Sequence, residues 1–232
     1  MEVLNRLKKQ IIVSCQGYEA LGNPFFTKED MYKMVLSAQR AGSTAVRLNN
    51  PDTIRYVKQH LPEMVIIGIW KVETPGYEVF ITTTFEEART LIELGCDIVA
   101  IDGTNRVNRL GQKGYEVIQE VKQAYPQQLI MADLSTIEEA REAVRAGADI
   151  ISTTLSGYTR ETSGINEDGP DFELIQVIRK EFPSVFINAE GRIWTIEDAT
   201  KAFKQGADMV TVGTAITNPM LIAKRFVEKV KP

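Results

Sequence analysis

Histidine and cysteine are scarce in this chain, and long apolar runs are missing. His60 is the only histidine in 232 residues. It falls at the predicted C-terminal end of an amphipathic helix, so neither histidine catalysis nor a serine–histidine pair is expected. The two cysteines, Cys15 and Cys96, form no Cys-x-x-Cys pair. That argues against a disulfide framework or a zinc site, and no other residues have metal-ligand spacing. Both cysteines adjoin apolar runs and read as buried free thiols. No stretch approaches the roughly 20 apolar residues that span a bilayer, and residues 1–10 are charged where a secretory signal would be apolar. The expectation is a cytoplasmic protein with no membrane partner. The net charge is −4, with no run of one sign and no basic stripe, so no nucleic-acid partner is expected either.

What is present is a repeat. Short, nearly continuous apolar segments recur at residues 11–14, 45–48, 65–70, 98–101, 129–132, 150–153, 185–189 and 209–212. Continuous apolar runs suit strands buried on both faces of a parallel sheet. Between them lie stretches with helical spacing, such as residues 85–94 and 137–146. Gly42, Gly95, Gly147 and Gly206 stand where helices should stop. Asp97, Asp149 and Asp208 then open the following strands. Thr27, Thr84, Ser135 or Thr136, and Thr195 read as N-caps, each followed within a few residues by Glu. Pro51 and Pro219 suit first helical turns. Eight strand–helix units in this length predict one domain over residues 1–232, a (β/α)8 TIM barrel with a short N-terminal helix. A doubly wound sheet is the competitor, but no glycine fingerprint follows the first strand.

The barrel reading selects the functional face, because residues at the C-terminal strand ends surround the mouth. Those ends carry Cys15 and Gln16, Arg47 and Asn49, Lys71, Asp102, Asp133, Thr153 and Thr154, Glu190 and Arg192, and Gly213 and Thr214. Lys71 closes an apolar strand, where partial burial would lower its pKa and make it usable as a base. Glu190 lies four strands later, across the barrel, and the two could pass a proton. Gly191 with Arg192, and Gly213 with Thr214, end the last two strands in glycine turns leading into helices. Such turns bring backbone N–H groups close to an oxyanion. Ser156, Gly157 and Tyr158 belong to a loop beside that end. The segments 71–80 and 156–170 are long for barrel loops and read as lids over the mouth.

Over nearly its whole length the chain resembles the N-acylglucosamine-6-phosphate 2-epimerases, also called N-acetylmannosamine-6-phosphate 2-epimerases. The resemblance rests on Ile12-Val13-Ser14-Cys15-Gln16, Ile66-Ile67-Gly68 followed by Lys71, and Met131-Ala132-Asp133. It continues in Thr153-Thr154-Leu155-Ser156-Gly157-Tyr158-Thr159, Asp171-Phe172-Glu173-Leu174-Ile175, Ala189-Glu190-Gly191 and Ala215-Ile216-Thr217. It implies a cofactor-independent TIM-barrel isomerase of sialic acid catabolism that acts on a small sugar phosphate, and a homodimer. It further implies that Lys71 and Glu190 are catalytic. Expected substrate contacts are Gln16, Arg47, Asp133 and Thr154. Expected phosphate contacts are Ser156, Gly157, Tyr158, Gly191, Arg192, Gly213 and Thr214.

Four departures from the family pattern bear on the substrate. Gly17-Tyr18-Glu19-Ala20 replaces a shorter turn. Leu48 adds bulk beside Arg47, where a small residue is usual. Val72-Glu73 replaces a basic and acidic pair. Asn218 stands where Ile-Thr is usually followed by Arg. Lys71 alone would also serve a Schiff-base aldolase. The departures at Leu48 and Asn218 leave room for a non-catalytic sugar-phosphate binder.

Overall fold

The computed structural model describes residues 2–17, 22–165 and 168–230. The departure at Tyr18, Glu19 and Ala20 lies outside the described residues, as does part of the 156–170 segment. Helix α1 (Glu2–Leu7) comes first. Then β1 (Ile11–Cys15), α2 (Lys28–Arg40), β2 (Ala45–Asn49), α3 (Pro51–His60), β3 (Val65–Ile69) and α4 (Phe85–Glu93) alternate. The alternation runs on through β4 (Ile98–Asp102), α5 (Gly114–Ala124), β5 (Leu129–Asp133), α6 (Ile137–Arg145), β6 (Ile150–Ser152) and α7 (Phe172–Glu181). It ends with β7 (Phe186–Glu190), α8 (Ile196–Lys204), β8 (Met209–Val212), α9 (Thr214–Thr217) and α10 (Pro219–Lys229). The strands pair in parallel in chain order, and β8 returns to β1 to close the barrel.

The strand pleat separates two buried layers. Val13, Cys15, Val46, Leu48, Ile66, Val99, Ile130, Ile151 and Ile187 point outward and pack under the helices. Ile12, Ala45, Val65, Ile67, Ile98, Ala100, Met131, Ile150 and Met209 fill the inside, joined by Leu7 of α1. This corrects the reading of Leu48. One residue from Arg47 in a strand means the opposite face, so its bulk enters the helix layer and not the barrel interior. Cys15 faces the same layer, and burial pushes its thiol up to about 12.

The predicted punctuation is in place. Thr27, Thr84, Thr136 and Thr195 each form a capping box with the acidic residue three positions on. At the Ser135–Thr136 ambiguity Thr136 is the cap, while Ser135 gives its N–H and hydroxyl to Glu139. The four predicted glycines follow the caps with φ from +81° to +114°.

The recurring aspartates staple the bottom of the barrel. Asp97, Asp149 and Asp208 each accept the N–H of the second residue of the preceding strand, Ile66, Ile130 and Ile187 respectively, at 2.9 Å. Each also pairs with a cation from a helix: Lys58, Lys122 and Arg179. Asp208→Ala removes the acceptor that the partly buried Ile187 N–H shares with Arg179 and should cost ~1–3 kcal/mol. Urea midpoints at constant slope would read this; a loss below about 0.5 kcal/mol, within the range of ordinary surface changes, would contradict it.

Candidate active site

At the C-terminal mouth the inward positions change from apolar to polar. Arg47 of β2 is only 1% exposed. Its guanidinium grips both oxygens of Asp133 on β5, one at 3.0 Å. It also donates to Glu190 Oε2 on β7 at 2.5 Å. Such a desolvated charge is tolerable only with close anionic partners. Burial works against the guanidinium, but Asp133 and then Glu190 outweigh it and hold its pKa above the usual value. Glu190 is raised above the usual carboxylate range, first by burial, against the opposing pull of Arg47.

A hydroxyl and amide network supports this triad. Thr154 Oγ1 lies 2.7 Å from Asp133 Oδ1 and 2.7 Å from Ser152 Oγ. Asn188 Nδ2 donates to Ser152 Oγ at 2.7 Å and to Glu190 Oε2 at 3.3 Å. Thr211 Oγ1 donates to Asn188 Oδ1 at 2.9 Å.

Lys71 enters from the far side. Its N–H donates to Asn49 Oδ1 at 2.9 Å, and an antiparallel bridge to Ile81 fixes the chain just beyond β3. Its Nζ sits 5.8 Å from the centre of the Phe80 ring. Burial, and next the nearby charge of Arg47, hold its pKa down at about 8. Lys71 and Glu190 line one cavity of about 510 Å³, from strands four apart in the ring.

Of the expected contacts, Gln16, Arg47, Thr154, Tyr158, Gly191, Arg192, Gly213 and Thr214 line the same cavity. Asp133 lies beneath it, fully buried under Arg47. Ser156 and Gly157 stand behind the wall. The Ser156 hydroxyl donates to Asp171 at 2.6 Å, and the Gly157 N–H to Thr162 at 2.9 Å. Arg192 is the link between these parts. It donates to the carbonyls of Ser156 and Gly169 and stacks on Tyr158, with its guanidinium carbon 4.9 Å from the ring centre. Gly157 is packed against that guanidinium, where a Cβ would come within 2.6 Å.

The two long segments meet at the mouth. Glu78 pairs with Arg160 at 2.7 Å, and Arg106 reaches the Glu78 carbonyl. Asp102 belongs to this rim. It binds Arg106 at 3.0 Å and Thr104, and burial pushes its carboxyl up to about 6. His60 ends α3 and its ring contacts Tyr32 and Tyr56. Among the described residues no group of three or more His, Cys, Asp or Glu is gathered for a metal ion.

Sequence reasoning missed several wall residues: Ser14, Asn23, Phe80, Trp194, Thr211 and Thr217. Ser14 and Thr211 carried a usable signal, since each lies two residues before a strand-end residue already singled out and so shares its face. Asn218 also lines the cavity and caps α10, accepting from Leu221 N–H at 3.1 Å. Its place in the wall is thus also a place in the helix start.

Fold and site together define a (β/α)8 barrel of the enzyme type, with a lysine facing a carboxylate–guanidinium cluster over a glycine-rich end. A family model described as "Putative N-acetylmannosamine-6-phosphate epimerase" matches residues 31–232, and the chain belongs to this family. A relative from Caldanaerobacter subterraneus subsp. tengcongensis, named "Putative N-acetylmannosamine-6-phosphate 2-epimerase", is 43% identical over 100% of this chain and 95% of its own. One of the same name from Listeria welshimeri is 39% identical, over 99% of this chain and 95% of its own. The solved N-acetylmannosamine-6-phosphate 2-epimerase of Clostridium perfringens superposes with a TM-score of 0.90 at 34% identity, covering 97% of this chain and 95% of that one. A solved aldolase, QR15, matches at 16% identity and a TM-score of 0.63, a likeness of fold alone.

Replacing Arg47 by Met should cost ~3–5 kcal/mol of stability near neutral pH, because two buried carboxylates lose their counter-charge. Burial already raises the Glu190 pKa against the pull of Arg47, and without Arg47 it would lie further above its unfolded value. The deficit should therefore shrink as the pH falls and Glu190 is neutralised by protonation. Denaturant titrations of both proteins at pH 7.5 and 5.5 check this; a deficit that is small at both pH values would contradict it.

Proposed function

We propose that this protein interconverts N-acetylmannosamine 6-phosphate and N-acetylglucosamine 6-phosphate by inverting C2, as its family membership suggests. The observation that carries the reading is the facing pair, Lys71 with a lowered pKa and Glu190 with a raised one, on one cavity. Opposite shifts suit a base and an acid working near neutral pH.

In the open-chain sugar the C2 proton is acidified by the C1 aldehyde. Neutral Lys71 Nζ takes that proton, and the electron pair moves into the C2–C1 bond, leaving an enolate oxygen at C1. Arg47 lends positive charge to that oxyanion. A proton delivered to the opposite face of C2 from Glu190 completes the inversion. Lys71 then leaves as ammonium and Glu190 as carboxylate, and exchange with solvent or turnover in the reverse direction resets both. The phosphate would sit at the glycine end, against Gly191, Gly213, Thr214 and the guanidinium of Arg192. The first amides of α9 have no acceptor within that helix, which leaves them for an anion. Tyr158 and the loop through Ser156 and Gly157 would act there through Arg192. Gln16, tied to Ser14 at 2.8 Å, and Thr154 would contact the sugar.

A phosphorylated substrate and two free thiols fit the cytoplasm; among the described residues no helix is long and apolar enough to cross a membrane. A homodimer is supported by the end of α10, where Phe226 and Val227 of the helix and Val230 at its C-cap are 67%, 73% and 74% exposed. They form one apolar patch at that end of the helix. Sedimentation should give twice the chain mass, and Phe226→Glu should shift the protein to monomer.

The function is tested by assaying both directions with a coupled hexosamine-phosphate assay. Lys71→Ala should lose at least about a thousandfold in kcat, within the range expected when a general base is removed. For the wild type, log kcat/KM should be bell-shaped in pH, rising on the acid side and falling on the alkaline side, because the step needs Lys71 neutral and Glu190 protonated in the same molecule. Full activity in Lys71→Ala would rule out the assignment.

A further inference from the structure

Asn188 is fully buried, on the inward face of β7 two residues before Glu190. A primary amide inside a barrel is costly unless every group is paired, and here its hydrogen-bond groups have partners on three strands. The partners fix which way round the amide lies. A carboxylate cannot donate, so the nitrogen faces Glu190 Oε2 and the oxygen takes the Thr211 hydroxyl.

The hydroxyls then have one self-consistent direction. Thr154 has a single proton, and its 2.7 Å contact with Asp133 Oδ1 takes it. Ser152, 2.7 Å from Thr154, must therefore donate to Thr154 and accept from Asn188. Asn188 is thus the head of a chain of donors that runs through Ser152 and Thr154 to Asp133. Its second N–H goes to Glu190. Arg47 donates to the same Oε2 at 2.5 Å. An oxygen receiving a guanidinium N–H and an amide N–H is a poor place for a proton.

We propose that Asn188 is a positioning residue for the reaction: it fixes Glu190 by Oε2, so that Glu190 takes up and releases its proton at Oε1. Asn188 touches no reacting atom. It acts by favouring the ionised carboxylate and by fixing the plane in which the carboxyl group presents Oε1 to the cavity. The catalytic part of this inference rests on the epimerase reading; the protonation part does not.

The test is therefore made first without substrate. The carboxyl carbon of Glu190 is followed by 13C NMR across pH in the wild type and in Asn188→Leu, with the signal assigned by Glu190→Gln. Losing a donor to the charged form should raise the midpoint by about one unit, a tenfold gain in proton affinity. Because the plane of the Glu190 carboxyl group is no longer fixed, turnover of Asn188→Leu should fall in kcat by tenfold or more in both directions, with KM within about threefold. Thr211→Val, a near-isosteric change that only frees the Asn188 carbonyl, should move the midpoint the same way by less. It carries the test if the leucine variant does not fold. A Glu190 midpoint unmoved in the folded variant would overturn the proposal whether or not the protein is an epimerase. A moved midpoint with unchanged kcat, in a wild type that epimerises, would overturn the catalytic part alone.

Discussion

Burying the guanidinium of Arg47 at the mouth of an apolar barrel sets the terms for everything around it. A charge that is 1% exposed requires anions at contact distance, and β5 and β7 supply them as Asp133 and Glu190. Those carboxylates need further donors for their remaining lone pairs, which Thr154 and Asn188 provide. The same positive charge lies close enough to Lys71 to help burial depress its pKa. One residue thus anchors three strands, keeps a carboxyl group close to the cavity and helps lower the pKa of the lysine opposite.

The rest of the barrel is arranged so that this cluster sits on a rigid base. The aspartate staples join β3, β5 and β7 to their neighbours at the opposite end, and these three strands carry Lys71, Asp133 and Glu190 at or just beyond their upper ends. The inner apolar layer fills the space between the two ends. Loops supply what the strands cannot. Arg192 ties the segment after β6 to the turn after β7, and Glu78 ties the two longest mouth segments together. Charged clusters that must keep their geometry are best carried by such rigid elements.

Much of this was legible in the sequence because strands buried on both faces leave continuous apolar runs, and helix ends leave threonines and glycines. The strand-end residues followed from the barrel reading, and most of the expected contacts line one cavity. What was missed, or misread, traces to the pleat. Leu48 was placed beside the sugar although it is one residue from Arg47 and therefore faces the helices. Asn188 and Thr211 were passed over as parts of apolar strands, although each is two residues from a strand-end residue already chosen. Ser156 and Gly157 could not be placed from the sequence, because their partners Asp171, Thr162 and Arg192 come from folding the loop back on itself. β6 stops at Ser152, one residue earlier than its apolar run suggested, where the Thr153 N–H turns to the Asn188 carbonyl.

The central claim is that a proton leaves and returns at C2 of the sugar through groups on this cavity. The direct measurement is proton NMR of N-acetylmannosamine 6-phosphate incubated with the protein in deuterated water. The account predicts N-acetylglucosamine 6-phosphate with deuterium in place of hydrogen at C2, since Lys71 and Glu190 exchange with solvent between turnovers. Product that keeps its C2 hydrogen through many turnovers, or substrate left unchanged, would contradict it.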